Sequence, residues 1–204
     1  MLHFQIFIGG IFDTNAYLVQ TAGGNILIDA PTGSSKWVGE LGVRIDLLLI
    51  THGHVDHFDD AAKIKRISNC QVGFHKDGIP LMTDPEFYKN LGFYFEAEPV
   101  RPDFLIEESP QTEFCEIPFR VLLVPGHCPG SLCFYSSDHA LLFGGDVLFA
   151  GSIGRTDLPG GDHRLLIRGI REKLLVLPNE TIVLPGHGPQ TSIGRERESN
   201  PFLQ

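Results

Sequence analysis

The sequence predicts a layered α/β fold in which sheets are covered by helices. Three observations carry this expectation. Short apolar runs of strand length alternate with longer stretches of helical period. One run, Leu47–Ile50, is apolar throughout, as in a strand buried on both faces. Finally, each group of chemically distinctive residues directly follows an apolar run, and strand ends are where a rigid scaffold converges side chains from distant sequence.

The elements follow in order. Phe4–Ile8, Ala16–Val19 and Ile26–Ile28 are punctuated by Gly9-Gly10 and Gly23-Gly24-Asn25, so they read as a meander joined by tight turns. Leu47–Ile50 is the next strand. Phe58–Ile67 has helical character, with Asp59 and Asp60 at its start and Lys63, Lys65 and Arg66 towards its end, the polarity a helix dipole favours. Gln71–Phe74 is a further strand. Residues 76–111 are rich in Pro, Glu and Phe with weak periodicity, and are expected to form a loop-and-helix insertion over the scaffold. Phe119–Val124, Leu132–Tyr135 and Ala140–Phe143 are strands again. Asp162–Leu175 is the best helix: Leu166, Ile170 and Leu174 share a stripe, and Asp162 is placed to cap it. Thr181–Leu184 is the last strand.

A chain of 204 residues with 42% hydrophobic content fits a single domain, 1–204, that buries a core without disulfides. Its net charge of −9 argues against a nucleic-acid partner, because phosphate binding needs a basic surface. No stretch approaches the length of a membrane span, so no membrane partner is expected. Met1–Ile11 lacks a basic region and a cleavage site, which predicts no signal peptide. The cysteines Cys70, Cys115, Cys128 and Cys133 form no C-x-x-C pair and are expected as free thiols in a reducing cytoplasm.

The chemistry concentrates in His52, His54, Asp56 and His57, then His127, Asp146 and His187. Five imidazoles and two carboxylates exceed what one ion can use and suit a pair of ions. Nitrogen and oxygen donors without thiolate favour zinc, with iron or manganese as alternatives. In an extended segment His52, His54 and Asp56 share a face, and a bend into a helix would turn His57 the same way. One ion would then take His52 and His54, and a second Asp56 and His57. Gly126, Gly145 and Gly186 precede the other three ligands, where a sharp turn or close backbone approach is useful.

These motifs resemble those of the metallo-β-lactamase-fold hydrolases. The match includes Thr-His-x-His-x-Asp-His at 51–57, Pro-Gly-His at 125–127, Gly-Asp-x-Leu-Phe at 145–149 and Pro-Gly-His-Gly-Pro at 185–189. It extends to Leu27-Ile-Asp29, Gly154–Asp162, Ile193-Gly-Arg-Glu-Arg and Asn200-Pro-Phe202. The pattern is most similar to short members of the glyoxalase II branch, which act on hydroxyacylglutathione. The resemblance implies an αββα four-layer sandwich with the metals at one edge of the sheets. It implies two divalent ions: His52, His54 and His127 on the first, Asp56, His57 and His187 on the second, and Asp146 bridging. Asp29 would orient a ligand imidazole, Asp56 would also orient a metal-bridging hydroxide, and Arg155 would contact substrate. The implied reaction is hydrolysis of an acyl thioester or ester.

The chain departs from full-length glyoxalase II in having no C-terminal helical domain after His187, and Asp157 and Pro189 stand where that family has glutathione-contacting tyrosines. Alternatives of the same fold are a lactone or ester hydrolase and a persulfide dioxygenase with a single iron on His52, His127 and Asp146. Lactam-cleaving members with a Cys ligand or no bridging Asp disagree with Asp146. A non-catalytic, metal-stabilised binding module is the remaining class.

Overall fold

The computed structural model describes residues 2–84, 86–90 and 97–204. Two six-stranded sheets pack face to face and each carries helices on its outer side, giving four layers, αββα. The first sheet opens with the expected meander: β1 (His3–Gly9), β2 (Thr14–Thr21) and β3 (Gly24–Ile28) are antiparallel neighbours. It continues in parallel through β4 (Leu47–Leu49), β5 (Gln71–Phe74) and β6 (Phe104–Leu105). The second sheet contains β7 (Ser109–Phe114), β8 (Ile117–Leu123), β9 (Leu132–Ser136), β10 (Leu141–Gly145), β13 (Ile182–Pro185) and β14 (Thr191–Ser192). Its order is β14-β13-β10-β9-β8-β7, and only β10 and β13 run parallel. Between these strands, β11 (Leu148–Phe149) and β12 (Ser152–Ile153) form a separate hairpin.

The period-two pattern of each strand divides its side chains between two cores. Tyr17, Val19, Ile26, Ile28 and Leu49 of the first sheet meet Phe119, Val121, Phe134, Phe143 and Leu184 of the second. The Tyr17 and Phe143 rings meet edge to face, their centroids 5.4 Å apart. Alternate residues Leu18, Leu27, Leu48 and Val72 face outward and are covered by Val38, Phe58 and Ile64 from the helices. On the far side Leu122, Cys133, Leu142 and Val183 are covered by Leu166, Ile170 and Leu174. Burial of each large aliphatic or aromatic side chain contributes about 1.5–3 kcal/mol. Leu47–Leu49 is buried throughout because parallel neighbours flank it, the second sheet covers Leu47 and Leu49, and the helices cover Leu48.

Several boundaries differ from the sequence expectation. The helix expected over Phe58–Ile67 is two: α2 (Val55–Phe58) and α3 (Ala61–Ser68). The chain is pinned between them, with Ala30 N donating to His57 O and Asp60 N to Ala30 O. Asp60 does not cap α3. Its carboxylate accepts instead from Gly33 N, Ser35 N and Ser35 Oγ at 2.8–3.0 Å, at the start of α1 (Ser34–Leu41). Asp162 does cap its helix, accepting from Leu165 N at 2.9 Å, but α6 (His163–Gly169) passes into a π-helical turn at Ile170–Leu174. Segment 76–111 holds α4 (Ile79–Thr83) and α5 (Glu86–Asn90), yet it also supplies β6 and starts β7, so it forms an edge of both sheets as well as a cover. Positions 85 and 91–96 of that segment lie outside the described residues. The sequence reading did not anticipate α1, β14 or α7 (Ile193–Ser199).

Candidate metal centre

All seven predicted ligands converge at one end of the sandwich. His52–His57 follow β4, His127 follows β8, Asp146 follows β10 and His187 follows β13. The three ring nitrogens His52 Nε2, His54 Nδ1 and His127 Nε2 stand 2.8–3.2 Å apart. A tetrahedral ion with nitrogens at about 2.0–2.1 Å would hold them about 3.3 Å apart, so the triangle fits one ion. A second set of donors lies beside it. Asp56 Oδ2 is 3.2 Å from His187 Nε2 and 3.5 Å from His57 Nε2, and the two imidazole nitrogens are 3.3 Å apart. Asp146 reaches both sets: its Oδ2 lies 3.3 Å from His187 Nε2 and 3.6 Å from His127 Nε2, and its Oδ1 lies 3.4 Å from His57 Nε2. Buried Asp146 Oδ1 makes no hydrogen bond among the described residues. A buried carboxylate oxygen of that kind calls for a cation.

The outer nitrogens of these rings are held, which sets tautomer and ring orientation. His57 Nδ1 lies 2.8 Å from Asp29 Oδ2, His127 Nδ1 donates to Arg155 O at 2.8 Å, and His187 Nδ1 donates to Phe12 O at 2.9 Å. His52 Nδ1 lies 3.1 Å from Thr51 Oγ1, which itself donates to Asp29 Oδ2. Thr14 Oγ1 donates to Asp56 Oδ2 at 2.8 Å. Asp29 thus stands beside the imidazole of His57, one of the predicted ligands. Asp29 sits just after β3 with φ of +61°, a region Asp tolerates better than most residues, and both its oxygens turn toward Thr51. Thr14, Thr51 and the two carbonyls escaped the sequence reading; a carbonyl carries no residue identity. At Gly186 a Cβ would lie 2.1 Å from Asp146 Oδ1 and 2.6 Å from His57 Cε1, so only glycine lets the chain pass this closely.

Electrostatics divide the cluster. Burial, then the neighbouring His57, His54 and His127 rings, push His52 well below the usual imidazole range. Burial and the His127 ring bring His54 to about 3, and burial lowers His127. The triangle is thus three neutral lone-pair donors. For His57 burial opposes protonation, but Asp146, Asp56 and Asp29 outweigh it and raise the ring well above its usual range. Burial is likewise outweighed at His187, which Asp146 and Asp56 raise to about 10. Burial works against ionising Asp146 and Asp56, yet His57 and His187 hold Asp146 well below the carboxylate range and Asp56 at about 2. Two ionised carboxylates become an anionic socket for divalent ions once His57 and His187 give up their protons.

The centre opens into a pocket of about 580 Å³. Asp56, His54, Asp146 and His187 form part of its lining, and Phe12, Val55, Phe87, Tyr88, Phe149, Ile153, Leu158 and Pro159 form most of the rest. Arg155 also lines it, but its guanidinium pairs with Asp157 through two 2.7 Å contacts, both side chains largely exposed. The histidines outside the motif stay apart: His75 Nδ1 accepts from Asp77 N, and His139 Nδ1 sits 3.1 Å from Ser136 Oγ. All four cysteines are unpaired, and burial pushes Cys128, next to His127, up to about 12. Among the described residues no helix is long and apolar enough to cross a membrane.

Comparison with known proteins bears on this geometry. The chain is 36% identical over 199 residues to a protein of Haemophilus influenzae named hydroxyacylglutathione hydrolase GloC, covering 94% of this chain and 93% of that one. Two solved structures, each 36% identical, superpose closely. One is described as the BLEG-1 B3 metallo-beta-lactamase, with a TM-score of 0.88 over 98% of this chain and 99% of the other. The second is TTHA1623 in a di-iron-bound form, with a TM-score of 0.87 over 98% and 100%. The family model of the metallo-beta-lactamase superfamily matches residues 9–187, a span that runs from the first hairpin to the last of the clustered histidines. With its αββα layers and its seven convergent donors, the chain is a member of the metallo-beta-lactamase superfamily of metallo-hydrolases.

Proposed function

We propose that this metallo-hydrolase cleaves acyl thioesters at a centre of two divalent ions, zinc foremost, with iron or manganese as alternatives. One observation carries the reading: two sets of ligand atoms share Asp146 at the floor of a pocket large enough for a small-molecule substrate. His52, His54 and His127 would hold one ion, Asp56, His57 and His187 the other, with Asp146 between them. Bound there, such ions supply a water activated at neutral pH and a Lewis acid for the carbonyl oxygen.

The chain's own residues do the rest. Thr14 holds the carboxylate of Asp56 at the pocket wall, where it orients the attacking water. Asp29 and the Phe12 and Arg155 carbonyls keep the imidazoles from rotating. The apolar walls exclude bulk water. A carbon–oxygen bond to water forms, the carbon–sulfur bond breaks, and acid and thiol leave. Support for a thioester over another acyl compound comes from the 36% identity to a protein named hydroxyacylglutathione hydrolase. The equal identity to a protein described as a B3 metallo-beta-lactamase favours lactam cleavage as the second reading. Four free cysteines support a reducing, cytoplasmic setting for the enzyme.

One panel tests this. Zinc-loaded protein is offered S-lactoylglutathione, simple acyl thioesters, a homoserine lactone, a chromogenic β-lactam, and glutathione persulfide with oxygen uptake followed. Thioesters are expected to turn over fastest. Preference for the lactam, or oxygen consumption on persulfide with one iron per chain and no thioesterase activity, would overturn the proposal.

A further inference from the structure

The pocket above the metal-ligand cluster is chemically one-sided. Phe12, Phe87, Phe149, Ile153, Leu158 and Pro159 line it, and apart from the ligand cluster itself its polar lining is Tyr88, Ser152 and Arg155. The walls come from three separate parts of the chain: the β1–β2 turn, α5, and the stretch from β11 to Pro159. Phe149 reaches the ligand cluster, its ring edge-on to His187 with centroids 6.3 Å apart.

The charges at the rim point the same way. A glutathione carrier brings two carboxylates, which need cations. Among the described lining residues Arg155 is the single Lys or Arg, and Asp157 already neutralises it in a two-pronged pair. The chain as a whole carries a net charge of −9, which repels an anionic carrier further.

From this we infer that the site selects an uncharged, apolar acyl group of several carbons, carried on a small neutral thiol in preference to an anionic one. The inference rests on the thioesterase reading and names its substrate class. Apolar surface transferred from water into such walls is stabilised by about 0.8 kcal/mol for each methylene fully buried, a factor of about four. A polar hydroxyacyl group gains less, because its hydroxyl loses water and meets carbon.

The test uses S-acyl-N-acetylcysteamine thioesters from acetyl to octanoyl with the zinc-loaded protein, beside S-lactoylglutathione. kcat/KM is expected to rise about two- to fourfold per methylene from acetyl to at least hexanoyl, and hexanoyl is expected to exceed S-lactoylglutathione. A second measurement does not depend on turnover: calorimetric binding of n-alkyl hydroxamates of two to eight carbons, which anchor on a metal and leave the alkyl tail to report on the wall. Their Kd should fall with chain length by a similar factor per carbon. Phe149→Ser should flatten both slopes at unchanged metal content. A flat hydroxamate series, or kcat/KM highest for lactoyl and falling with acyl length, would overturn the inference. Length-dependent hydroxamate binding with no thioester cleavage would uphold the apolar pocket and sink the thioesterase reading alone.

Discussion

Asp29 Oδ2 lies 2.8 Å from His57 Nδ1, and the same oxygen accepts from Thr51 Oγ1, which stands 3.1 Å from His52 Nδ1. A single buried carboxylate at the end of β3 thus orients an imidazole from each of the two ligand sets. Asp29→Asn keeps the shape but can donate as well as accept, so it no longer imposes one tautomer on His57. Zinc affinity, measured by competition with a chromogenic chelator, is expected to fall about 10- to 100-fold. Affinity within twofold of the parent protein would show that Asp29 does not govern the ligands.

Asp146 is in contact with donors of both the His127 and the His187 sets. Asp146→Ala is expected to remain folded by circular dichroism, because the imidazoles it leaves behind can lose their protons and become neutral. It should retain at most one ion per chain by elemental analysis, since two cations would lose their shared anion. Full metal content with parental turnover would refute the bridging assignment.

Metal loading should release protons. In the metal-free protein Asp146 and Asp56, against the effect of burial, raise His187 to about 10, so at pH 7–8 the ring is protonated there and must lose its proton to ligate. The sign follows: affinity rises with pH, about tenfold per unit for each proton displaced, and levels off as pH passes His187's own pKa. Calorimetry in buffers of different ionisation enthalpy should give at least one proton released per chain. Zero protons at pH 7.5 would contradict the electrostatics described above. Removing the ions should also destabilise the fold. At a thousandfold excess over Kd, binding contributes about 4 kcal/mol, and chelation should lower Tm by about 8–16 °C.

Glu196 is fully buried on α7, nine positions beyond His187. It accepts from Thr191 Oγ1, from Gly151 N at 2.8 Å and from Asn200 Nδ2 at 2.8 Å, while Asn200 also donates to Ser152 O. These bonds hold the β11–β12 hairpin, which carries Phe149 and Ile153 to the pocket. Glu196→Ala strands the buried Thr191 and Asn200, each costing about 1–3 kcal/mol, so Tm should fall by roughly 4–24 °C. KM is expected to rise more than kcat falls, and an unchanged KM would separate Glu196 from the pocket.

The sequence by itself determined the candidate ligand set and the class of fold. Spacing within Thr51–His57 is a local property, and each ligand stands directly after an apolar run whose burial makes it a strand wherever the fold places it. The core faces follow from the same alternation. What only the tertiary structure decided is how those ligands are held. Phe12 and Arg155 act through backbone carbonyls, which any residue possesses, and Thr14 reaches Asp56 across 42 positions of sequence. Glu196 stands between Arg195 and Arg197, so nothing in its sequence neighbours marks it for burial. The helix α1 was hidden too: it starts after Gly33 at φ +93° with no side-chain cap, and Asp60 satisfies its first N–H groups from outside. Local pattern encodes which face of an element is apolar. Hydrogen-bond partners distant in sequence are set by packing, because burial leaves each donor few acceptors within reach.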